Sequence, residues 1–265
     1  MKKLITLTLC AALAITSFTA CGAKTYSTKV ADIKKNGELI IGLDDTFAPM
    51  GFREANGELV GFDIDLANAV CEKLGVKATF KPIDWNAKEM ELTSGNIDCI
   101  WNGMSINPER KEKMSLSKAY LNNRIVIMTK KDIKVSEKAD LAKYNIGIQA
   151  GSAALDAIKA DEVYSSVKDK IVEYPTYDEV ILDMQAGRLD CMIIDEVYGG
   201  YKNGKMGLPY VVSDVNFGDD LYAVGFRKGD TELTEEVNKI MLELSANGKS
   251  ADISNKWFSA DITIK

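Results

Sequence analysis

The chain repeats itself. Leu92-Thr93-Ser94-Gly95-Asn96-Ile97-Asp98-Cys99-Ile100 returns as Met184-Gln185-Ala186-Gly187-Arg188-Leu189-Asp190-Cys191-Met192, 92 residues further on. The same interval carries Trp85 to Tyr177, each just ahead of a helical stretch. Ile41-Gly42-Leu43 has an echo of its own in Ile146-Gly147-Ile148. Transitions from helix through glycine to strand look alike in many chains, so one short match carries little. Three in the same order predict two lobes of similar design.

The local pattern says which design. Residues 38–43 read as an apolar strand. Phe62, Leu66, Ala69, Val70 and Leu74 share one helical stripe that stops at Gly75, a natural C-cap. Residues 77–83 return to strand, 87–94 are helical up to Gly95, and 97–101 are strand again. Such alternation predicts parallel sheet covered by helices. Open α/β sheets bind ligands beyond the carboxyl ends of their strands. For two facing lobes those ends are Asp44, Asp45, Asn102 and Gly103 on one side, and residues 149–152 with Asp195 on the other. The result is a cleft at a lobe interface, a favoured place for small molecules.

Composition prunes the chemistry. Among 265 residues there is no histidine, which excludes a Ser-His-Asp or Cys-His nucleophile and a histidine-ligated zinc site. The balance of 46% apolar and 27% charged residues is that of a globular protein. A formal charge of −6 argues against nucleic acid as the main partner, which would require a clustered positive surface. No metal or cofactor is expected.

The N-terminus reads as an address. Lys2 and Lys3 precede an uncharged apolar run over 4–15. That is shorter than the ~20 residues a spanning helix needs, so 1–20 read as a secretory signal peptide. Phe18-Thr19-Ala20-Cys21-Gly22 resembles the lipoprotein signal-peptidase box, with Cys21 as the lipidated first residue and Phe18 where that box prefers leucine. Ordinary secretion, with cleavage after Ala20 or Ala23, is the alternative. Residues 21–28 would be the tether, and the chain from residue 21 onward carries 31 basic and 39 acidic side chains, a net charge of −8. Cys71, Cys99 and Cys191 remain, an odd number that allows at most one disulfide. Cys99 and Cys191 sit in apolar runs, where a buried free thiol is expected.

Gly61-Phe62-Asp63-Ile64-Asp65-Leu66 resembles the signature of the extracellular solute-binding proteins of polar amino-acid ABC importers, solute-binding family 3. So do 41–49, the Met104-Ser105-Ile106-Asn107-Pro108-Glu109-Arg110 segment, Ile148-Gln149-Ala150-Gly151-Ser152, 186–196 and Lys256-Trp257-Phe258. The resemblance runs from about Val30 to Phe258. It implies an α/β, two-lobed type II periplasmic-binding-protein fold, each lobe an open, mostly parallel sheet with flanking helices, joined by two crossovers. Lobe one would take 29–121 and 218–262, lobe two 122–217. The function implied is a lipid-anchored, non-enzymatic, monomeric receptor on the outer side of the cell membrane. It would bind an L-amino acid between its lobes and deliver it to an ABC permease.

The resemblance also implies roles. Arg110 would clamp the ligand carboxylate through a planar guanidinium, although its charged neighbours alone suggest a solvated helix. Gly151, Ser152 and Ala153 would add backbone donors at a helix start. Ala153 stands where the family often has threonine. Asp195 would accept from the ligand ammonium, with Ser105 and the Gly103 carbonyl completing its bonds; capping a helix is its plainer role. Phe47 and Trp85 would flank the ligand side chain, and Asp44 would meet its far end unless Asp45 takes that place. Asn102 and Trp101 would reshape that end, for a polar, amide, cationic or aromatic side chain or for cystine. Glu109, Asp63, Asp65 and the surface lysines read as scaffold or solvated face. Two rivals share the fold: a dehydratase-like enzyme using cleft acids as general acid and base, and a ligand-sensing subunit for a signalling receptor.

Overall fold

Two five-stranded sheets organise the chain, and both are built around the echoed segments. The computed structural model describes residues 28–264. The expected signal peptide, Cys21 and the polar stretch as far as residue 27 lie outside them. In the first sheet the spatial order is Lys77–Pro82, Glu38–Leu43, Cys99–Ile100, Gly225–Arg227, Met114–Leu116. In the second it is Ile171–Tyr174, Ile146–Gln149, Cys191–Asp195, Leu121–Lys130, Tyr210–Tyr222. In each sheet three parallel strands are followed by two more, each antiparallel to the strand before it.

The echo extends to register. Ile41 and Gly42 lie opposite Cys99 and Ile100, as Ile146 and Gly147 lie opposite Cys191 and Met192. Packing explains why the same residues recur. A Cβ on Gly42 would stand 2.5 Å from Ile97 Cδ1, and one on Gly147 would stand 2.5 Å from Leu189 Cδ1. Each apolar residue two places after the helix-ending glycine fills a notch that only glycine leaves. Because Ile97 is spent as that plug, the expected strand over 97–101 shortens to Cys99–Ile100. Asp98 satisfies the Ile40 N–H with its carboxylate instead (2.9 Å). The helix expected over 87–94 forms as Lys88–Thr93, behind a 3-10 turn at Trp85–Ala87.

The Phe62–Leu74 helix follows its stripe and ends at Gly75, whose N–H returns to the Cys71 carbonyl (2.9 Å). Full burial of a side chain such as Phe62 contributes roughly 1.5–3 kcal/mol. The Thr231–Ala246 and Lys249–Phe258 helices pack against this helix. Cys71, Cys99 and Cys191 are free and buried. Burial pushes the Cys71 and Cys191 thiols up to about 12, so neither is a nucleophile at neutral pH. Among the described residues no helix is long and apolar enough to cross a membrane.

The chain passes between the sheets twice, and the two passages lie side by side. The Ser117 N–H donates to the Val224 carbonyl (2.9 Å), and the Tyr120 N–H to the Tyr222 carbonyl (2.9 Å). From there Leu121–Lys130 and Tyr210–Tyr222 run antiparallel into the second sheet.

Candidate functional site

Residues just beyond the carboxyl ends of Glu38–Leu43 and Cys99–Ile100 meet those at the ends of Ile146–Gln149 and Cys191–Asp195 around one cavity. It holds about 260 Å³ of atom-free space and is lined by Phe47, Trp85, Asn102, Gly103, Ser105, Arg110, Gln149, Ser152, Ala153 and Asp195. Nine of the eleven site residues expected from sequence are in that lining. Asp44 and Gly151 are not, and Gln149 is an addition. The volume lies below the ~300–1,000 Å³ of drug-sized sites, which suits a ligand of amino-acid size.

Arg110 sits in the Pro108–Lys113 helix, started by Pro108 and by Asn107, whose Oδ1 accepts the Arg110 N–H (2.8 Å). Its helix neighbours are exposed, whereas Arg110 is 2% exposed. The solvated reading therefore fails. Nη1 donates to the Ser105 carbonyl (2.9 Å) and Nη2 to the Gly151 carbonyl (3.3 Å). Among the described residues no carboxylate lies within ion-pair distance. A guanidinium has five N–H donors, so donors remain for a planar anion.

Lys88 is not one of the surface lysines, being 4% exposed. Nζ donates to the Trp85 carbonyl (3.2 Å) and across the cleft to the Gly151 carbonyl (2.9 Å), and lies 5.1 Å from the Trp85 ring centre. Burial and then Arg110 lower its pKa to about 8. Its position was legible in principle: Trp85, Lys88 and Leu92 share one helical face, and both neighbours on that face are buried.

Asp195 takes the N-cap position of the Glu196–Met206 helix but makes no capping bond. Its Oδ1 instead accepts from Asn123 Nδ2 (2.7 Å) and the Tyr222 hydroxyl (2.9 Å). Burial, then the charge of Asp220, push its carboxyl up to about 7, against the pull of Tyr222, Arg110 and Asn123. Sequence reasoning passed over Asn123 and Asp220. Asp220 Oδ2 accepts from the Ser105 hydroxyl (2.6 Å) and from the same Asn123 Nδ2 (2.8 Å). Asn123 and Asp220 are paired across the two connecting strands.

Asp44 does not face the cavity. Its Oδ1 accepts from the Thr46 N–H (2.9 Å) and hydroxyl (2.6 Å), and its Oδ2 from Gln149 Nε2 (2.8 Å). The turn role holds, and the place at the cavity wall passes to Gln149. Asn102 accepts the Asp44 N–H through Oδ1 (3.1 Å), while its buried Nδ2 has no partner among the described residues. Asp63 is buried scaffold rather than solvated face. It accepts from the Gly103 N–H (2.6 Å) and the Tyr120 hydroxyl (3.0 Å), and burial raises its carboxyl to about 7. Ser152 caps the Ala153–Ala160 helix by accepting from the Leu155 N–H (3.1 Å). Its own N–H turns back to the Gln149 carbonyl (3.3 Å), so Ala153 at the helix start supplies the orphan donor there. Phe47 stacks on Tyr198 of the second lobe, ring centres 4.8 Å apart.

Comparison with known proteins matches this arrangement. An ABC uptake transporter substrate-binding protein from Streptococcus pneumoniae, solved with bound histidine, is 39% identical with a TM-score of 0.85, over 89% of this chain and 98% of that one. The histidine-binding periplasmic protein of Escherichia coli (strain K12) is 32% identical over 99% of both chains. The arginine-binding extracellular protein ArtP of Bacillus subtilis (strain 168) is 28% identical over 98% of this chain and all of the relative. These relatives are named for what they bind, not for a reaction. The two-lobed architecture, the cleft and a family-model match over residues 39–260 together place the chain among the bacterial extracellular solute-binding proteins, family 3.

Proposed function

We propose that this protein captures an L-amino acid between its lobes and hands the closed complex to an ABC permease. In this reading it works as a monomer, tethered to the outer face of the cell membrane through Cys21 after removal of residues 1–20. Residues 29–121 and 218–262 form lobe one, and 122–217 form lobe two. One observation carries the reading: a buried guanidinium, Arg110, and a buried carboxylate, Asp195, stand on one cavity and come from different lobes. A zwitterion offers each its opposite charge. The ligand favours closure only through contacts made better in the closed form, which residues from both lobes supply.

The side-chain end of the cavity carries amides rather than free charge. Asn102 presents a donor, and Gln149, whose Nε2 is committed to Asp44 and the Pro175 carbonyl (2.9 Å), presents an acceptor. That pair favours a neutral side chain that both donates and accepts, such as glutamine or histidine. A thermal-shift screen of the common L-amino acids, ornithine and cystine tests both points. The largest upward shifts are expected from glutamine and histidine. No shift with any of them would refute the receptor reading, and a larger shift with arginine or lysine would refute the amide preference.

The two ends of the head-group site also set a pH window. In the ligand-free protein the Asp195 carboxyl sits at about 7, so below that pH it holds a proton that ammonium binding must expel. Affinity is expected to fall by up to about tenfold per pH unit on the acid side. Above about 8 Lys88 loses its charge, which weakens the bond it donates across the cleft to the Gly151 carbonyl, and affinity falls again. Titration calorimetry of L-histidine and L-glutamine at a series of pH values checks this. An affinity that stays flat through both flanks would contradict the assigned contacts.

A further inference from the structure

The ammonium end contains more than one acid. Asn123 Nδ2 stands between two carboxylates, 2.7 Å from Asp195 Oδ1 and 2.8 Å from Asp220 Oδ2. Its Oδ1 accepts the Val197 N–H (3.3 Å), which fixes the orientation of the amide. Among the described residues neither acid has a cation within ion-pair distance. Asp220 Oδ2 also accepts the Ser105 hydroxyl at 2.6 Å. Ser105 lines the cavity and Asp220 does not.

A hydroxyl has one proton and two lone pairs, and an ionised carboxylate only accepts. The Ser105 proton therefore lies on the line to Asp220, and what the oxygen can turn toward the cavity is a lone pair. We propose that Asp220 is a positioning residue for ligand binding: it accepts the hydrogen bond of the Ser105 hydroxyl and so leaves a lone pair of the Ser105 oxygen to accept from the ligand ammonium. Without it the hydroxyl is free to rotate and point its proton at a cation. The backbone of Ser105 reinforces the point, because its carbonyl is held by Arg110 Nη1 (2.9 Å). One residue thus touches the machinery for both ends of a zwitterion. Burial raises the Asp220 carboxyl, and the donors Ser105 and Asn123 pull it back toward the ionised form.

This rests on the amino-acid reading above, and the test separates the two. Calorimetry with L-histidine, L-glutamine and L-arginine is run on the wild type, Ser105→Ala, Asp220→Ala, the double variant and Asp220→Asn. Ser105→Ala and Asp220→Ala should each weaken binding about tenfold, the scale of one hydrogen bond to a charged group. The double variant should be no weaker than Ser105→Ala alone, because Asp220 acts through that hydroxyl. Asp220→Asn should recover binding to within about twofold of wild type, since an amide oxygen in the place of Oδ2 accepts from both Ser105 and Asn123. Losses that multiply in the double variant overturn the positioning role, as does an asparagine variant as weak as the alanine one. A wild type that binds none of the three amino acids overturns the receptor reading and this role with it.

Discussion

Arg110→Ala is expected to abolish useful binding while leaving the ligand-free protein folded. Removing one partner of a buried, hydrogen-bonded charge pair costs about 2–5 kcal/mol, or roughly 30- to 4,000-fold in affinity. The unliganded protein should be nearly indifferent. Arg110 is 2% exposed yet its side chain bonds only to the carbonyls of Ser105 and Gly151, so its removal breaks no ion pair. A core truncation would lower the melting temperature of the free protein; this change should instead erase the upward shift that an amino acid produces. Arg110→Lys should fall in between, because an ammonium keeps the charge and loses the two parallel bonds. Near-normal affinity in the alanine variant would remove the carboxylate clamp from the account.

Gly151→Ala should hold the lobes apart. Gly151 has φ +66, and an added Cβ would stand 3.0 Å from Asn86 Oδ1, 3.1 Å from Asn86 Cα and 3.4 Å from Lys88 Nζ. The backbone strain burdens the open and closed forms alike. The contacts with Asn86 and Lys88 come from the other lobe and burden closure alone. Overpacking of this kind costs about 1–3 kcal/mol, so affinity should drop roughly 5- to 150-fold. Small-angle scattering at saturating L-histidine or L-glutamine should show a variant more extended than the wild type. A variant that closes normally would mean that the Gly151 loop moves aside at no cost.

Much of this was legible in the sequence because packing repeats itself. The notch filled by Ile97 and Leu189 forces the same glycine into both halves, and the echo of Gly42 in Gly147 is its trace. The Phe62–Leu74 helix and its Gly75 cap depend on local periodicity and were read directly. The site residues missed depend on what lies across a sheet or a cleft. Asn123 and Asp220 are polar residues on neighbouring strands, and only the register that sets them opposite each other makes them one cluster. Asp44 looked ligand-facing because it ends a strand, but Thr46 and Gln149 claim both its oxygens. Lys88 carries a charge, but the helical face it shares with Trp85 and Leu92 places it inside.

The paired connections have a practical consequence. Two strands zipped together by the Ser117–Val224 and Tyr120–Tyr222 bonds resist independent twisting, so the lobes share a single bending coordinate. A dye on each lobe then reports occupancy as one distance. Met90 and Leu182 face solvent on corresponding helices, and the native thiols among the described residues are buried. In a chain without the thiols of Cys10 and Cys21, cysteines placed at those two positions would take a fluorophore pair selectively, making a ratiometric gauge of amino acid.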